Sequence, residues 1–212
     1  MSAPAALKTA PSTPPPYEAQ TFPNLTGVSG FSSEQITEHL SLYKGYVKAV
    51  NDLDDEIRDL GAHGNAGHPA WAELLRRRGF EYNGMRLHEL YFEALGADGV
   101  VSEHRASNSL ARQLAKSFGS VAAWQEDFRH MAEIRGIGWA MLVEDSRTRR
   151  LQNIFVNLHQ DGQIVDFHPI IVMDLWEHAY LIDYKSAEKK QYAAAFLHAL
   201  DWKVCSQRLH SQ

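Results

Sequence analysis

The sequence predicts an α+β fold, in which an N-terminal α-helical hairpin precedes a mixed domain with a three-stranded antiparallel sheet and flanking helices. Between residues 36 and 57, apolar side chains recur at the spacing of an amphipathic helix. In the second half, three runs rich in β-branched and aromatic residues alternate with turn-like stretches. A helical first half and a strand-rich second half together indicate an α+β protein.

The chain divides into three expected parts. Residues 1–16 are rich in Ala, Pro, Ser and Thr and bury too little apolar surface to fold alone, so we expect a disordered tail. Residues 17–98 should form a loop and the helical hairpin, which Gly96 and Gly99 close. Residues 99–212 should form the α+β domain.

The hairpin is built from two long helices. Ser32 or Ser33 can cap the first, and its apolar spacing predicts an end near Gly61. Glycines and a proline then break the chain. The second helix is predicted over residues 70–95, and the glycines in the stretch 79–84 leave open whether it is continuous.

The second domain is predicted to contain four helices and three strands. Glycines 136 and 138 end the second of these helices. Turn-like stretches between the β-rich runs indicate antiparallel connections. The predicted helices cover residues 109–118, 121–134, 175–184 and 187–203, and the predicted strands cover residues 139–145, 151–157 and 167–174.

Composition and charge restrict the class of protein. The net charge of −5 argues against general affinity for nucleic acid, because phosphate binding needs a basic face. No apolar run approaches the roughly 20 residues of a membrane-spanning helix. Cys205 is the one cysteine, so no intrachain disulfide can form, and the first residues lack the pattern of a secretory signal. We therefore expect a cytoplasmic protein without a membrane or nucleic-acid partner.

Four residues are candidates for a metal site. Asp174 lies at the end of a predicted strand, and His178 follows it by four residues, about one helical turn. A carboxylate and an imidazole so placed can bind one cation. His39 and His88 lie in the two hairpin helices. Taken alone, each of these histidines is more typical of a hydrogen-bonded core residue, and the Asp174–His178 pair is more typical of surface or capping residues.

Four short segments of the chain occur in this order: His39 with Tyr43-Lys44-Gly45-Tyr46-Val47, Tyr82-Asn83-Gly84 before His88, Gly136-Ile137-Gly138-Trp139, and Asp174-Leu175-Trp176-Glu177-His178-Ala179-Tyr180. In this combination and order they resemble the iron/manganese superoxide dismutase family over about residues 17–209. The resemblance implies one iron or manganese ion per subunit, with the four candidate residues as its ligands. It implies disproportionation of superoxide to dioxygen and hydrogen peroxide as the ion cycles between +2 and +3. It does not separate iron from manganese, which accept the same donors.

The resemblance also assigns an aromatic lining to the pocket. Trp139 and Trp176 match tryptophans of the family, and Phe92 stands where a bulkier indole is frequent. All three would pack in the core whatever the function. In the family they keep water and larger anions away from the ion.

The spacing after the first ligand departs from the common family pattern. There, a tyrosine follows the ligand by eight residues with a histidine between them. Here Tyr46 follows His39 by seven, and Tyr43 takes the place of the histidine. Seven residues return almost to the starting face of a helix, whereas eight need a π-type bulge. We therefore expect a regular helix with Tyr46 as gateway and proton relay, and Tyr43 as the alternative.

A second departure concerns the residue that hydrogen-bonds the metal-bound solvent. Many members use a glutamine, but Gly84 occupies one of its two usual positions. The other position lies before the third strand, where this chain has His159 and Gln160. Either residue could form this hydrogen bond. His159 precedes Asp174 by fifteen residues, a spacing that resembles members using a histidine, so we favour His159 over Gln160.

A third departure concerns the contact between subunits. Leu181 stands where the family usually places a tyrosine that bonds the missing histidine across a dimer. Glu177 remains, and by resemblance it reaches the second ring nitrogen of the partner subunit's His178. We expect a homodimer or tetramer with an altered bridge.

Two other classes of function share some of these features. A homologue that kept the fold but lost turnover would act as a binding protein, although the intact ligand set counts against it. A mononuclear iron oxygenase uses two histidines and one carboxylate, but it needs open positions that a third histidine and the aromatic residues would occupy.

An anionic substrate needs local positive charge to approach a protein of net negative charge. Lys44 and Lys185 are the candidates from the sequence. A solvated helix face explains both lysines equally well.

Overall fold

The computed structural model of the chain describes residues 14–96 and 109–210. Most of the expected tail, residues 1–13, lies outside the described residues, as does the expected domain boundary at residues 98 and 99. Within the described ranges the chain forms six α-helices and one three-stranded sheet. The predicted α+β fold is confirmed.

The helical hairpin follows the prediction closely. Helix α1 (Ser33–Ala62) begins after Ser32, whose side-chain oxygen accepts from Gln35 N at 3.0 Å. It is one continuous α-helix, as the seven-residue spacing predicts. Helix α2 (Pro69–Ala94) starts with a proline, which suits a first helical position, and continues unbroken through residues 79–84.

The second half contains the sheet and four further helices. They are α3 (Ser109–Phe118), α4 (Val121–Ala132), β1 (Trp139–Asp145), β2 (Leu151–Val156), β3 (Phe167–Asp174), α5 (Lys189–His198) and α6 (Trp202–Gln207). The strand order is β2-β1-β3, and both pairs are antiparallel. All three strands lie within one residue of their predicted bounds.

The prediction of a helix at residues 175–184 is wrong. The chain makes only a short 3₁₀ turn, Glu177–Ala179. Leu175 N donates to Gly138 O at 2.9 Å, so strand-like hydrogen bonding continues for one residue beyond β3. Trp176 is extended as well, with ψ of 151°. Because both residues stay extended, the chain turns later and over fewer residues than a helix needs.

The predicted helix at residues 187–203 is divided in two. Helix α5 ends at His198, and Leu200 then pairs with Leu95 in an isolated β-bridge. The side chain of Asp201 caps α6. The division arises because the bridge holds backbone groups that a continuous helix would use.

The two halves of the described chain pack against each other through α2 and β3. Helix α4 covers β1 and β2, and α6 contacts both α2 and β3. This packing brings the carboxyl end of β3 to the helical hairpin, where the candidate site lies.

Helices α1 and α2, of 30 and 26 residues, have the length needed to cross a bilayer. Neither they nor any other helix within residues 14–96 and 109–210 is apolar enough to do so.

Candidate metal centre

The four candidate ligands come from four separate elements. His39 lies in α1, His88 in α2, Asp174 ends β3, and His178 lies in the 3₁₀ turn that follows. One nitrogen or oxygen atom from each lies within 4.8 Å of those of the other three. Three of the residues are buried, and the side chain of His178 is 26% exposed. The fold therefore brings all four together.

The contacts centre on one carboxylate oxygen. Asp174 Oδ2 lies 3.1 Å from Nε2 of His39, 3.1 Å from Nε2 of His178 and 3.5 Å from Nε2 of His88. Three imidazoles and one carboxylate form a donor set that accepts iron or manganese.

His88 shows that these residues fit a cation. Its Nδ1 donates to Gly84 O at 2.6 Å, so Nε2 carries a lone pair. That Nε2 is buried and has no hydrogen-bond partner among the described residues. A buried polar atom without a partner costs about 1–3 kcal/mol. A metal ion between Nε2 and the Asp174 carboxylate would remove this cost.

The protonation states of the candidate ligands suit metal binding. Burial lowers the pKa of His39 and lowers that of His88 further, which keeps both imidazoles neutral. Burial alone would raise the pKa of Asp174, but the contacts of its carboxylate with His178 and His39 outweigh this effect and hold the pKa well below its usual range. Neutral imidazoles and an ionised carboxylate are the forms that bind metals.

Groups behind the ligands hold them in place. The Tyr192 hydroxyl donates to Asp174 O at 2.7 Å, and Trp176 N donates to Asp174 Oδ1 at 2.8 Å. Gln35 Nε2 donates to His178 O at 2.7 Å. Such contacts orient ligands before an ion binds.

A second hydrogen-bonded group adjoins the ligands. The two ring nitrogens of His159 lie 3.0 Å from Nε1 of Trp139 and 2.8 Å from the hydroxyl of Tyr46. An indole N–H can only donate, so Nδ1 of His159 is the acceptor and Nε2 carries the proton. Tyr46 therefore accepts from His159 and keeps its own hydroxyl proton available for another acceptor.

The pKa shifts of this second group agree with that assignment. Burial lowers the pKa of His159 to about 4, so its ring is neutral near pH 7. Burial also raises the pKa of Tyr46 above its ordinary value. The imidazole of His159 and the phenol of Tyr46 are therefore both neutral, and the proton on His159 Nε2 forms the hydrogen bond to the Tyr46 oxygen.

The three aromatic residues singled out in the sequence lie against the histidines of the cluster. Their ring-centroid distances are 4.8 Å for Phe92–His39, 5.1 Å for Trp139–His88 and 5.8 Å for Trp176–His178.

The structure adds three residues that sequence reasoning missed. The ring of Tyr91 lies 5.1 Å from that of His39, and the ring of Phe80 lies 4.3 Å from that of His159. Asn83 Nδ2 donates to His159 O at 3.0 Å. Asn83 belongs to one of the matching segments, which was a usable signal. In the sequence, Phe80 and Tyr91 cannot be distinguished from aromatic residues that only pack in the core.

Comparison with known proteins identifies a family model and relatives with similar sequences. A family model described as iron/manganese superoxide dismutases, C-terminal domain, matches residues 106–208. The manganese superoxide dismutase 2 of Haloferax volcanii is 33% identical over 172 residues, which cover 80% of this chain and 83% of the relative. The chain belongs to the iron/manganese superoxide dismutase family. The iron superoxide dismutase of Aquifex aeolicus is 31% identical over 186 residues, which cover 85% of each chain.

Iron or manganese is the cofactor of this dismutase family, and the cluster of His39, His88, Asp174 and His178 is a group that could hold it. Relatives named for manganese and for iron match at 33% and 31% identity. The difference is too small to choose between the metals.

Tyr43, at the position where the dismutase family usually has a histidine, is buried. Its hydroxyl donates to Glu89 Oε1 and accepts from Gln20 N, both at 2.9 Å. Burial raises the pKa of Tyr43 to about 12. Tyr46, not Tyr43, is the tyrosine that bonds His159.

The two residues that the dismutase pattern left open differ in their contacts. The ring of His159 adjoins Tyr46 and Trp139. The amide oxygen of Gln160 accepts from His159 N at 3.3 Å, so this side chain folds back onto the backbone of the turn.

Glu177 lines a surface cleft of about 530 Å³ beside His178. Three apolar side chains on the same cleft are exposed, namely Leu42, Leu181 and Ile182. The cleft therefore combines a carboxylate, one edge of the cluster and an apolar surface.

Proposed function

We propose that this chain is a superoxide dismutase that binds one iron or manganese ion through His39, His88, Asp174 and His178. The proposal is carried by the convergence of three imidazoles on Asp174 Oδ2, with the buried Nε2 of His88 lacking a partner among the described residues. Iron or manganese held there would supply the redox chemistry, since either metal can accept one electron and donate it again. The balanced reaction consumes two superoxide anions and two protons and yields one dioxygen and one hydrogen peroxide.

Asp174 supplies the single negative charge of the proposed ligand set. The imidazoles of His39 and His88 carry no positive charge that would oppose it, because burial holds their pKa below the ordinary value and keeps them neutral. One anionic donor beside neutral ones stabilises a trivalent ion without excluding the divalent state.

Tyr46 is the proposed gateway and proton donor. Its hydroxyl oxygen accepts from His159, which leaves its own proton free to be donated toward the reduced substrate. A positioned proton donor of this kind contributes typically about 10²–10⁴-fold to a rate.

His159 is the proposed tuning residue, and we propose that it acts through Tyr46. Both of its ring nitrogens have partners, so a bond to solvent on the ion would require His159 to release Trp139 or Tyr46. Gln160 is the alternative, but it would have to leave its contact with His159 N.

The aromatic residues Phe92, Trp139 and Trp176 are proposed to exclude water and larger anions. Their rings lie between 4.8 and 5.8 Å from the histidine rings of the cluster. A small diatomic anion needs less room than a bulky co-substrate, which favours dismutation over an oxygenase reaction.

We further propose a homodimer or tetramer in which the cleft beside Glu177 is covered and Glu177 reaches the partner subunit's His178. The exposed apolar side chains of Leu42, Leu181 and Ile182 support a covered surface. Light scattering after gel filtration should give at least two chains per particle, and a monomer at micromolar concentration would contradict the proposal.

A cytoplasmic location stays a prediction.

The proposed function is tested by loading the purified chain with iron or manganese and following superoxide by stopped-flow absorbance. We expect about one ion per chain and catalytic consumption of superoxide. His88→Ala should lose the ion and the activity together, whereas His130→Gln, at an exposed position in α4, should keep both.

Two outcomes would support the rival functions instead. A loaded chain that binds its ion but leaves superoxide unconsumed would indicate a binding protein. Uptake of dioxygen with an organic co-substrate would indicate an oxygenase.

A further inference from the structure

The approach of the anionic substrate is a step that the proposed ligands and Tyr46 do not explain. A chain of net charge −5 repels superoxide at long range, so a local positive group has to offset this repulsion. Helix α2 carries three consecutive arginines, Arg76, Arg77 and Arg78, only a few residues before the part of the helix that packs on Tyr46. These arginines differ in what they contact.

Arg77 is connected to the Tyr46–His159 pair through Phe80. Its guanidinium carbon lies 4.3 Å from the centroid of the Phe80 ring, and that ring lies 4.3 Å from the ring of His159. The guanidinium therefore lies within about 9 Å of His159. This is close to the Debye length of about 8–10 Å at physiological salt, so its charge still acts at the pair.

Glu81 fixes the guanidinium at this place. Nη2 of Arg77 lies 2.5 Å from Oε1 of Glu81, one turn further along α2. The Glu81 side chain is 8% exposed and the Arg77 side chain is 50% exposed, so the pair has its positive end toward solvent. An anion that arrives from solvent meets the guanidinium before it meets the carboxylate.

The neighbouring arginines serve other contacts. Arg76 forms an exposed ion pair with Glu73, and Arg78 pairs with Asp54 of α1. Burial raises the pKa of Tyr46, and the positive charge of Arg77 acts against that rise. Burial lowers the pKa of His159, and the charge of Arg77 lowers it further.

We propose that Arg77 is the positive group that draws superoxide toward the Tyr46–His159 pair, and that Glu81 is the positioning residue that holds its guanidinium there. The inference rests on the proposed function, and it names the residue that guides the substrate of that same site.

The test compares variants of the metal-loaded protein at several ionic strengths. Removing Arg77 alone would leave the buried Glu81 carboxylate without its ion-pair partner, so the informative comparison is Glu81→Gln against the double variant Arg77→Gln/Glu81→Gln. These two proteins differ at residue 77 alone, where a neutral amide replaces the charged guanidinium. Arg76→Gln is the matched control, because it removes the adjacent arginine from the same helix.

Two quantities are measured: kcat/KM for superoxide, and the Kd of azide by optical titration. A unit charge about 10 Å away changes either quantity by about 2- to 15-fold at low salt. We expect kcat/KM of the double variant to be lower than that of Glu81→Gln by this factor, and its Kd for azide to be higher by this factor. The loss should shrink as the salt is raised toward 1 M, where the Debye length falls to about 3 Å and a charge at this distance is screened. Arg77→Lys should retain most of the effect, since it keeps the charge.

The outcomes distinguish a failure of the role proposed for Arg77 from a failure of the proposed function. Equal kcat/KM and equal azide affinity in the double variant and Glu81→Gln would overturn the role of Arg77, even if the unmodified protein is an active dismutase. A loss that does not depend on salt would also overturn it, because it would indicate a structural effect. If the unmodified protein does not consume superoxide, the proposed function fails, and the azide titration still decides whether Arg77 attracts anions.

Discussion

At the residue scale, Gly84 and Tyr46 set the geometry beside the cluster. A Cβ atom at Gly84 would lie 2.6 Å from the Tyr46 ring, closer than side chains approach one another. The missing side chain makes room for that ring, which reaches the hydroxyl to within 2.8 Å of His159 Nε2. The same glycine provides the carbonyl that orients His88.

Gly84→Ala should therefore displace Tyr46 and lower superoxide turnover, with the ion retained. Gly79→Ala is the matched control, because this glycine lies in the same helix with open space at its Cβ position. An alanine there should raise the free energy of unfolding by up to about 1 kcal/mol through helix propensity alone. Stopped-flow turnover and urea unfolding measure both effects. Full turnover in Gly84→Ala would contradict the placement of Tyr46.

His159→Gln tests the proposed tuning role. A glutamine amide can accept from Trp139 and donate to Tyr46, so we expect the fold to keep its stability. We expect the ratio of iron-loaded to manganese-loaded activity to change, because the hydrogen bond to Tyr46 changes its geometry and strength. Activities of both loaded forms are compared with those of unmodified protein and of His130→Gln. An unchanged ratio would remove His159 from its role.

At the element scale, the helices of the hairpin could be read from the sequence because their signals are local. Capping by Ser32, apolar spacing along α1 and the proline that starts α2 all lie within or beside the element that they specify. The segment after Asp174 could not be read in this way. Its extended start depends on Leu175 N meeting Gly138 O, a residue thirty-seven positions away in the chain.

The entry to β1 provides a prediction at this scale. Gly138 has φ of +141°, and a Cβ there would lie 2.3 Å from Val156 O of the neighbouring strand. Gly136 also has positive φ, at +119°, but nothing lies within 4 Å of its Cβ position. Gly138→Ala should therefore lower the free energy of unfolding by about 1–3 kcal/mol more than Gly136→Ala, through steric overlap. Urea unfolding of both variants measures the difference, and equal losses would contradict the close approach of β2.

At the scale of the whole molecule, the proposed ion links the two halves of the chain. Two ligands belong to the helical hairpin, and two belong to the end of β3 and the turn after it. An ion bound only by the folded chain stabilises it by about 2.7 kcal/mol when its free concentration is 100 times Kd.

Removing the ion with a chelator should therefore lower the Tm of the unmodified protein, and adding iron or manganese back should restore it. His88→Ala should have a Tm that neither treatment changes. Differential scanning calorimetry measures all four conditions. A Tm that does not respond to the metal in unmodified protein would argue against an ion held between the two halves.

The sequence by itself determined the α+β class, the long helices and the strands, because local spacing carries that information. It determined the four residues of the candidate cluster only through ordered segments that resemble the dismutase family. Tertiary structure alone decided that Tyr43 bonds Glu89 while Tyr46 bonds His159, that Gln160 folds back onto its turn, and that Arg77 and Phe80 adjoin the site. These side chains are distant in the chain from the groups that they meet. Their contacts depend on how α1, α2 and the β2–β3 turn pack together, and no local pattern encodes that packing.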